Sequence, residues 1–257
     1  MSVIYANTEF SPPQVGPASS GLFAATQWTE ETGLPRWLAE GVRLRPQNYG
    51  GELSAGTWTD PWCPDLVPDE PGLKYGVRPD IPDPFAPVTV WAYDANQCGD
   101  LSEESRNEVR SRARQNLRLH EQVIAEREFA GRLLLDAATP ATAADLVEAV
   151  GELELAFAAT NTTGFIHAPA NLAAVASRYQ LLLDGGRTPL GHRWVFGYAT
   201  GLGETLVATS QPFGWRDAVQ LREATDPQTN TFVAIAERSL VIAVEHVLAA
   251  VQIGASA

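Results

Sequence analysis

The chain has 257 residues, 45% of them hydrophobic, which is ample for a buried core and rules out a disordered tail. Lysine plus arginine number 18 against 31 aspartates and glutamates, and the net charge of -13 is a poor match to phosphates, which argues against a sequence-reading DNA-binding domain. Met1 to Phe10 lacks the basic and apolar regions of a secretory signal, and no apolar run nears the roughly 18 residues of a membrane span, so a soluble, cytoplasmically made protein is expected.

The first forty residues read as a weakly patterned arm. Pro12, Pro13 and Pro17 keep its opening extended, and Glu30–Leu38 is predicted as a short apolar helix. Phe23, Trp28 and Trp37 in such a segment need cover, on the chain's own core or on another subunit. From Pro46 to Pro87 nine of the 18 prolines fall with five glycines, a density that no helical period survives. A long extended excursion follows. Structureless stretches beyond about 12 to 15 residues are uncommon in compact domains unless functional or laid against a partner. This one still carries Trp58, Trp62, Leu66, Val67, Tyr75 and Phe85, too apolar for a solvated linker, although a flap folded on its own domain is an alternative.

After a predicted strand Val88–Tyr93, Ser102–Leu135 reads as one long helix. Ser102 suits the N-cap, Glu103 and Glu104 suit the positive end of the helix dipole, and Val109, Ala113, Leu117, His120 and Ile124 form one apolar stripe. Arg106, Arg110, Arg112, Arg114, Arg118, Glu121, Glu126, Arg127 and Glu128 surround it. At ~1.5 Å per residue the helix approaches 50 Å and outruns the core of a domain this size. A second helix is predicted from Ala143 to Thr160 with a turn at Asn161–Gly164, then a strand Phe165–Ala168 and a third helix from Pro169 to Leu183 closed by Asp184, Gly185 and Gly186. Strands are predicted at Arg193–Ala199, Thr205–Ser210, Trp215–Leu221, Thr231–Glu245 and Val247–Ile253. The order gives an α+β class, with helices beside a mixed or antiparallel sheet.

No catalytic pattern emerges. Gly201, Gly203 and Glu204 imitate the start of a dinucleotide loop, but Leu206 stands at the third glycine position and a plain loop is the better reading. His120, His167, His192 and His246 lack metal-ligand spacing and read as structural. Glu152 and Glu154 point to different sides of a helix, and Cys63 and Cys98 form no CxxC pair and read as ordinary thiols. No catalytic, cofactor or metal residue is assigned. Lysine occurs once, at Lys74; the arginine bias suits persistent ion pairs among many subunits, and a GC-rich genome would produce it equally.

Four runs carry a resemblance to a known family. Val90-Trp-Ala-Tyr-Asp-Ala-Asn-Gln-Cys98-Gly, followed by the Arg/Glu helix from Glu103, is similar to the strand and spine helix of the HK97-fold major capsid proteins of tailed bacteriophages, of the actinobacteriophage type. Gly164-Phe-Ile-His-Ala-Pro-Ala-Asn171-Leu, Thr188-Pro-Leu-Gly191-His-Arg-Trp-Val and the closing Ala236 to Ile253 resemble later segments of that fold.

The resemblance implies an N-arm at 1–41, an extended E-loop region and its following strand at 42–100, P-domain helices including the spine helix at 101–160, an A-domain at about 161–230 and completing strands at 231–257. It implies no enzyme and no cofactor, but a subunit that assembles with copies of itself, as hexamers and pentamers, into an icosahedral shell around double-stranded DNA held non-specifically. Portal, scaffolding and decoration proteins are the implied partners, the virion the implied location, and the host cytoplasm the place of assembly. Contacts between copies would fall to Trp28, Trp37, Trp58, Trp62, Lys74, Tyr75, Arg78, Arg106, Arg110, Arg114 and Arg118. Some family members crosslink a loop lysine to a neighbour's asparagine; no partner asparagine can be assigned, and Lys74 reads as a turn lysine. Rival readings are an encapsulin-like bacterial compartment, another virion part such as a connector or tail subunit, and an α+β enzyme with a dispersed site.

Overall fold

The computed structural model describes residues 10–58, 74, 76–78, 81–97, 101–137 and 139–254. In chain order the elements are α1 (Leu22–Ala25), β1 (Gln27–Glu30), α2 (Trp37–Glu40), a 3-10 turn (Glu52–Ser54), β2 (Val88–Gln97), α3 (Glu103–Asp136), β3 (Ala141–Ala143) and α4 (Leu146–Thr160). There follow β4 (Phe165–Pro169), α5 (Leu172–Arg178), β5 (Arg193–Gly197), β6 (Thr205–Thr209), β7 (Pro212–Arg216), β8 (Gln220–Asp226), β9 (Thr231–Val244) and β10 (Val247–Ile253). The class is α+β, as the element order predicts. Two compact units take the described residues of Met1–Ser19, Trp91–Glu121 and Gln220–Glu237, and of Ser20–Val90, Gln122–Val219 and Arg238–Ala257.

In the first unit, the start of α3 follows from its sequence. Ser102 Oγ accepts the Ser105 N–H at 3.3 Å, and Glu103 and Glu104 occupy the first turn, where the helix dipole favours anions. Val109, Ala113 and Leu117 are buried as the stripe requires. His120 is exposed instead, and the buried row continues in steps of four through Glu121. A row of every fourth residue is inclined to the helix axis, so the buried face turns slowly and leaves His120 outside. Strands β8 and β9 form an antiparallel hairpin from Gln220↔Glu237 to Asp226↔Thr231, closed by a turn in which Asp226 accepts the Gln228 N–H at 2.9 Å. Phe232, Ala234 and Ala236 face inward at the two-residue period of a strand.

In the second unit, β3, β10, β6, β4 and β5 make a sheet in that order, and α4 packs on it. Asp145 caps α4 by accepting the amides of Val147 at 2.8 Å and Glu148 at 2.9 Å, and Asn161 closes it in the left-handed region at φ 51. Leu146, Val150, Leu153 and Phe157 then meet Ile166, Leu206, Ala208 and Val251 in one core. In a second sheet β1 pairs parallel with β7, and β7 pairs antiparallel with the Leu240–Val244 end of β9.

Five predicted elements differ from the observed ones, the first being the strand from Val88, which runs on past Tyr93 to Gln97. Glu30–Leu38 is not a helix: Gln27–Glu30 pairs with β7, and Pro35 delays the helix to Trp37. Helix α4 starts at Leu146 because Ala141–Ala143 is drawn into a parallel pair with β10. The third helix shrinks to Leu172–Arg178. Pro169 ends β4, paired with Gly197, and the helix closes early in a Schellman turn, with Gln180 at φ 57 and the Leu181 N–H on the Ala176 carbonyl at 2.8 Å. Trp215–Leu221 is two strands: after β7 the Asp217 N–H still donates to the Ser239 carbonyl at 3.2 Å, but its buried carboxylate takes the Ser239 N–H at 2.8 Å in place of the backbone carbonyl, and regular pairing stops there. Cys63 and Cys98 lie outside the described residues.

Removing the α4 cap tests this local logic. Asp145→Ala should lower stability to denaturant by about 1 kcal/mol, the usual value of an N-cap, with the slope of the unfolding curve unchanged.

Candidate functional site

The arm and the excursion have little regular structure, so what fixes them is how their backbone is held. Leu22 and Trp37 are buried, Trp37 at 7% exposure, and Phe85 is covered as well. Trp28 is half-buried, edge-on to Phe23 at 4.9 Å, with the Arg216 guanidinium 4.7 Å from its ring and paired to Glu30. The root of the excursion is pinned at both ends. Arg132 donates to the carbonyls of Asp83 at 2.9 Å and Pro84 at 3.0 Å, its guanidinium 3.9 Å from the Phe85 ring, and Val42 and Phe85 exchange backbone bonds.

Glu245, between β9 and β10, accepts the amides of Gln47 and Asn48 and the Asn48 side chain. Beside it His246 stacks on Tyr49 at 5.0 Å. Burial acts to raise the Glu245 carboxyl, but the Asn48 and Gln47 donors outweigh it and leave it below its ordinary value of 4.5. Burial lowers His246, and the neighbouring Glu245 opposes that only in part.

Beyond these anchors the apolar side chains stay uncovered: Phe10 is 81% exposed, Leu34 92% and Trp58 48%, and Leu53, Val77 and Ile81 are exposed too. Lys74 stands 4.8 Å from the Trp58 ring, and Arg78 reaches the Pro46 carbonyl at 3.4 Å. Trp62 and Tyr75 lie outside the described residues. Of the arm tryptophans expected to meet other copies, Trp28 is half-buried and Trp37 is buried within its own chain.

On α3, Arg110 forks onto Glu223 at 2.7 and 2.9 Å and also meets Glu103, which holds the Glu223 carboxyl below its ordinary range. Arg106 and Arg110 both lie 5.5 Å from the Phe232 ring. Arg112 pairs with Asp94 and Glu108, each at 2.7 Å. Arg114 and Arg118 are exposed, and neither has an ion pair among the described residues. Three residues of this helix act differently from the sequence reading. Glu121 and Glu126, counted with the charged flank, are buried, Glu126 at 3% exposure, and Arg132 lies outside the residues that the sequence pattern picks out. The signal for Glu126 was its place beside Ala125, Phe129 and Ala130 on the buried face.

His167 is fully buried between Tyr198 Oη at 2.6 Å and Thr209 Oγ1 at 2.8 Å, and burial lowers it to about 3. It is a satisfied core histidine, as is His192, stacked on Phe157 at 4.0 Å. Gly201 and Gly203 form a plain loop between β5 and β6. Among the described residues no group of three or more His, Cys, Asp or Glu is placed to hold a metal ion, and no helix is long and apolar enough to cross a membrane.

No family model and no curated protein matches the chain. In structure it is similar to the holo-SrpI encapsulin complex from Synechococcus elongatus PCC 7942, with 15% identity and a TM-score of 0.56 over 96% of this chain and 92% of the other. The mature capsid of bacteriophage PhiM1 gives 8% identity and 0.51 over 99% and 93%. A virus-like particle from Pyrococcus furiosus gives 11% and 0.50 over 91% of each chain. The chain has the HK97-type fold that its sequence resembles.

The Glu245 anchor has a definite pH window. Because the folded state depresses its pKa, its contribution is present above 4.5 and is lost as pH falls through the depressed value. Hydrogen exchange at the Asn48 amide, corrected for its intrinsic rate, should accelerate in that acid window, and Glu245→Gln should abolish the pH dependence.

Proposed function

We propose that this chain is the major capsid protein of a tailed bacteriophage, which assembles by non-covalent contacts into an icosahedral shell around double-stranded DNA. The observation that carries the reading is the set of apolar side chains left bare on anchored limbs, Phe10, Leu34, Leu53, Trp58 and Ile81, in a fold shared over nearly its whole length with shell-forming proteins. Each such side chain gains about 25 cal/mol per Å² when a neighbouring copy covers it, and a closed shell offers that cover to every copy alike. Trp28, Trp58, Lys74 and Arg78 are the proposed limb contacts, and Arg114 and Arg118 the proposed arginine partners on α3; Arg106 and Arg110 shape the same helix surface from within the chain. Exposed pairs of this kind contribute about 0 to 1 kcal/mol each, so their repetition by symmetry counts for more than any one of them.

The net charge of -13 supports a container that does not grip its cargo, since a negative wall lets packaged DNA slide. Hexamers and pentamers of this chain, with portal, scaffolding and decoration proteins as partners, complete the proposal. A second reading, an encapsulin-like compartment, is favoured by the TM-score of 0.56 to an encapsulin.

The contents of the particle separate the two. Negative-stain microscopy of the expressed chain, with and without its candidate scaffold, should show closed shells, and mature particles should hold nuclease-protected double-stranded DNA. Shells loaded with a co-purifying enzyme and no DNA would establish the compartment instead, and small soluble species under every condition would overturn both. Deleting 47–86 should leave a folded body that assembles poorly.

A further inference from the structure

We propose that Glu126 is a two-sided latch that couples the seating of the arm at Gly21–Leu22 to the conformation of the loop after β5. Its Oε1 accepts the Leu22 N–H at 2.9 Å and its Oε2 the Tyr198 N–H at 2.8 Å. One turn earlier on α3, Gln122 Nε2 donates to the Ser20 carbonyl at 2.9 Å, so the peptide groups on both sides of Gly21 are held by the same helix face. Gly21 stands at φ 93, and a Cβ there would run into Gln122 and Glu126 Oε1. A Cβ on Gly197 would run into the same carboxylate. The carboxylate therefore occupies a notch that exists because both crossing segments lack a side chain.

Tyr198 supplies the element that has somewhere else to go. It is a fully buried aromatic at φ 51, a region that a bulky residue keeps only when its surroundings hold it there. Glu126 holds its amide, and His167 holds its hydroxyl and is itself tied to Thr209. Beyond it Gly201, at φ 112, lies close against Ala130 and Arg127 of α3.

The coupling follows from the way Glu126 is compensated. No cation pairs with it among the described residues; burial raises its pKa, opposed by the Leu22, Tyr198 and Gln122 donors. Losing either amide leaves a buried carboxylate with fewer donors, which loosens it from the other. The effect is reciprocal, as any coupling between two sites on one group must be.

Amide hydrogen exchange on the full chain tests it. Gly21→Ala, whose Cβ would press on Gln122 and on Glu126 Oε1, the oxygen on the arm side, should lower protection at the Tyr198 amide by about tenfold or more, the loss expected of one charge-assisted hydrogen bond. Gly197→Ala, whose Cβ would press on both oxygens of the carboxylate, should lower protection at the Leu22 and Tyr198 amides together. In a Glu126→Ala background both amides should already exchange freely, and adding either glycine substitution should change nothing more. Protection of Leu153 and Phe157 in α4 should be unaffected throughout. Unchanged Tyr198 protection in Gly21→Ala would overturn the latch, as would a further loss on top of Glu126→Ala. Loss spreading to the α4 amides in Gly197→Ala would also overturn it, since the glycine would then serve the fold as a whole.

Discussion

A segment with no helix or sheet of its own is held only where its backbone polar groups find partners. Three charged side chains meet that constraint here. Glu126 takes the amides of Leu22 and Tyr198, Arg132 gives to the carbonyls of Asp83 and Pro84, and Glu245 takes the amides of Gln47 and Asn48. Bonds of this type, with one partner ionised, are about twice as strong as neutral ones. Side chains of the body thus do for the limbs what ladder bonds do inside a sheet.

Anchoring the roots leaves the tips to find their own cover. Leu22, Trp37 and Phe85, next to the anchors, are buried, whereas Phe10, Leu34, Leu53, Trp58 and Ile81, farther along the same segments, are exposed. A monomer gains nothing by presenting these side chains to water, while a subunit surrounded by copies of itself gains at each one. The likeness to an encapsulin, a phage capsid and a virus-like particle spans nearly the whole chain, limbs included.

Where a pattern was local, the sequence was enough to read it. Helix α3, with Ser102 before it and two glutamates in its first turn, and the closing strands β9 and β10 could be placed almost to the residue. What depended on distant partners could not. Gln180 in a left-handed turn, Pro169 at the end of a strand and Asp217 leaving one are settled by contacts with Ala176, Gly197 and Ser239. The same holds for the anchors. Glu126 meets residues 104 and 72 positions away in the chain, and neither separation leaves a trace in helical periodicity. The arm's predicted helix failed for a similar reason, since Gln27–Glu30 finds its partner in β7.

The most direct measurement is side-chain oxidation footprinting of the dissociated subunit and of assembled particles, followed residue by residue. Phe10, Leu34, Leu53 and Trp58 should lose most of their reactivity on assembly, while Leu153 and Phe157 remain protected in both states. Equal oxidation of those four in subunit and particle would contradict assembly through the limbs.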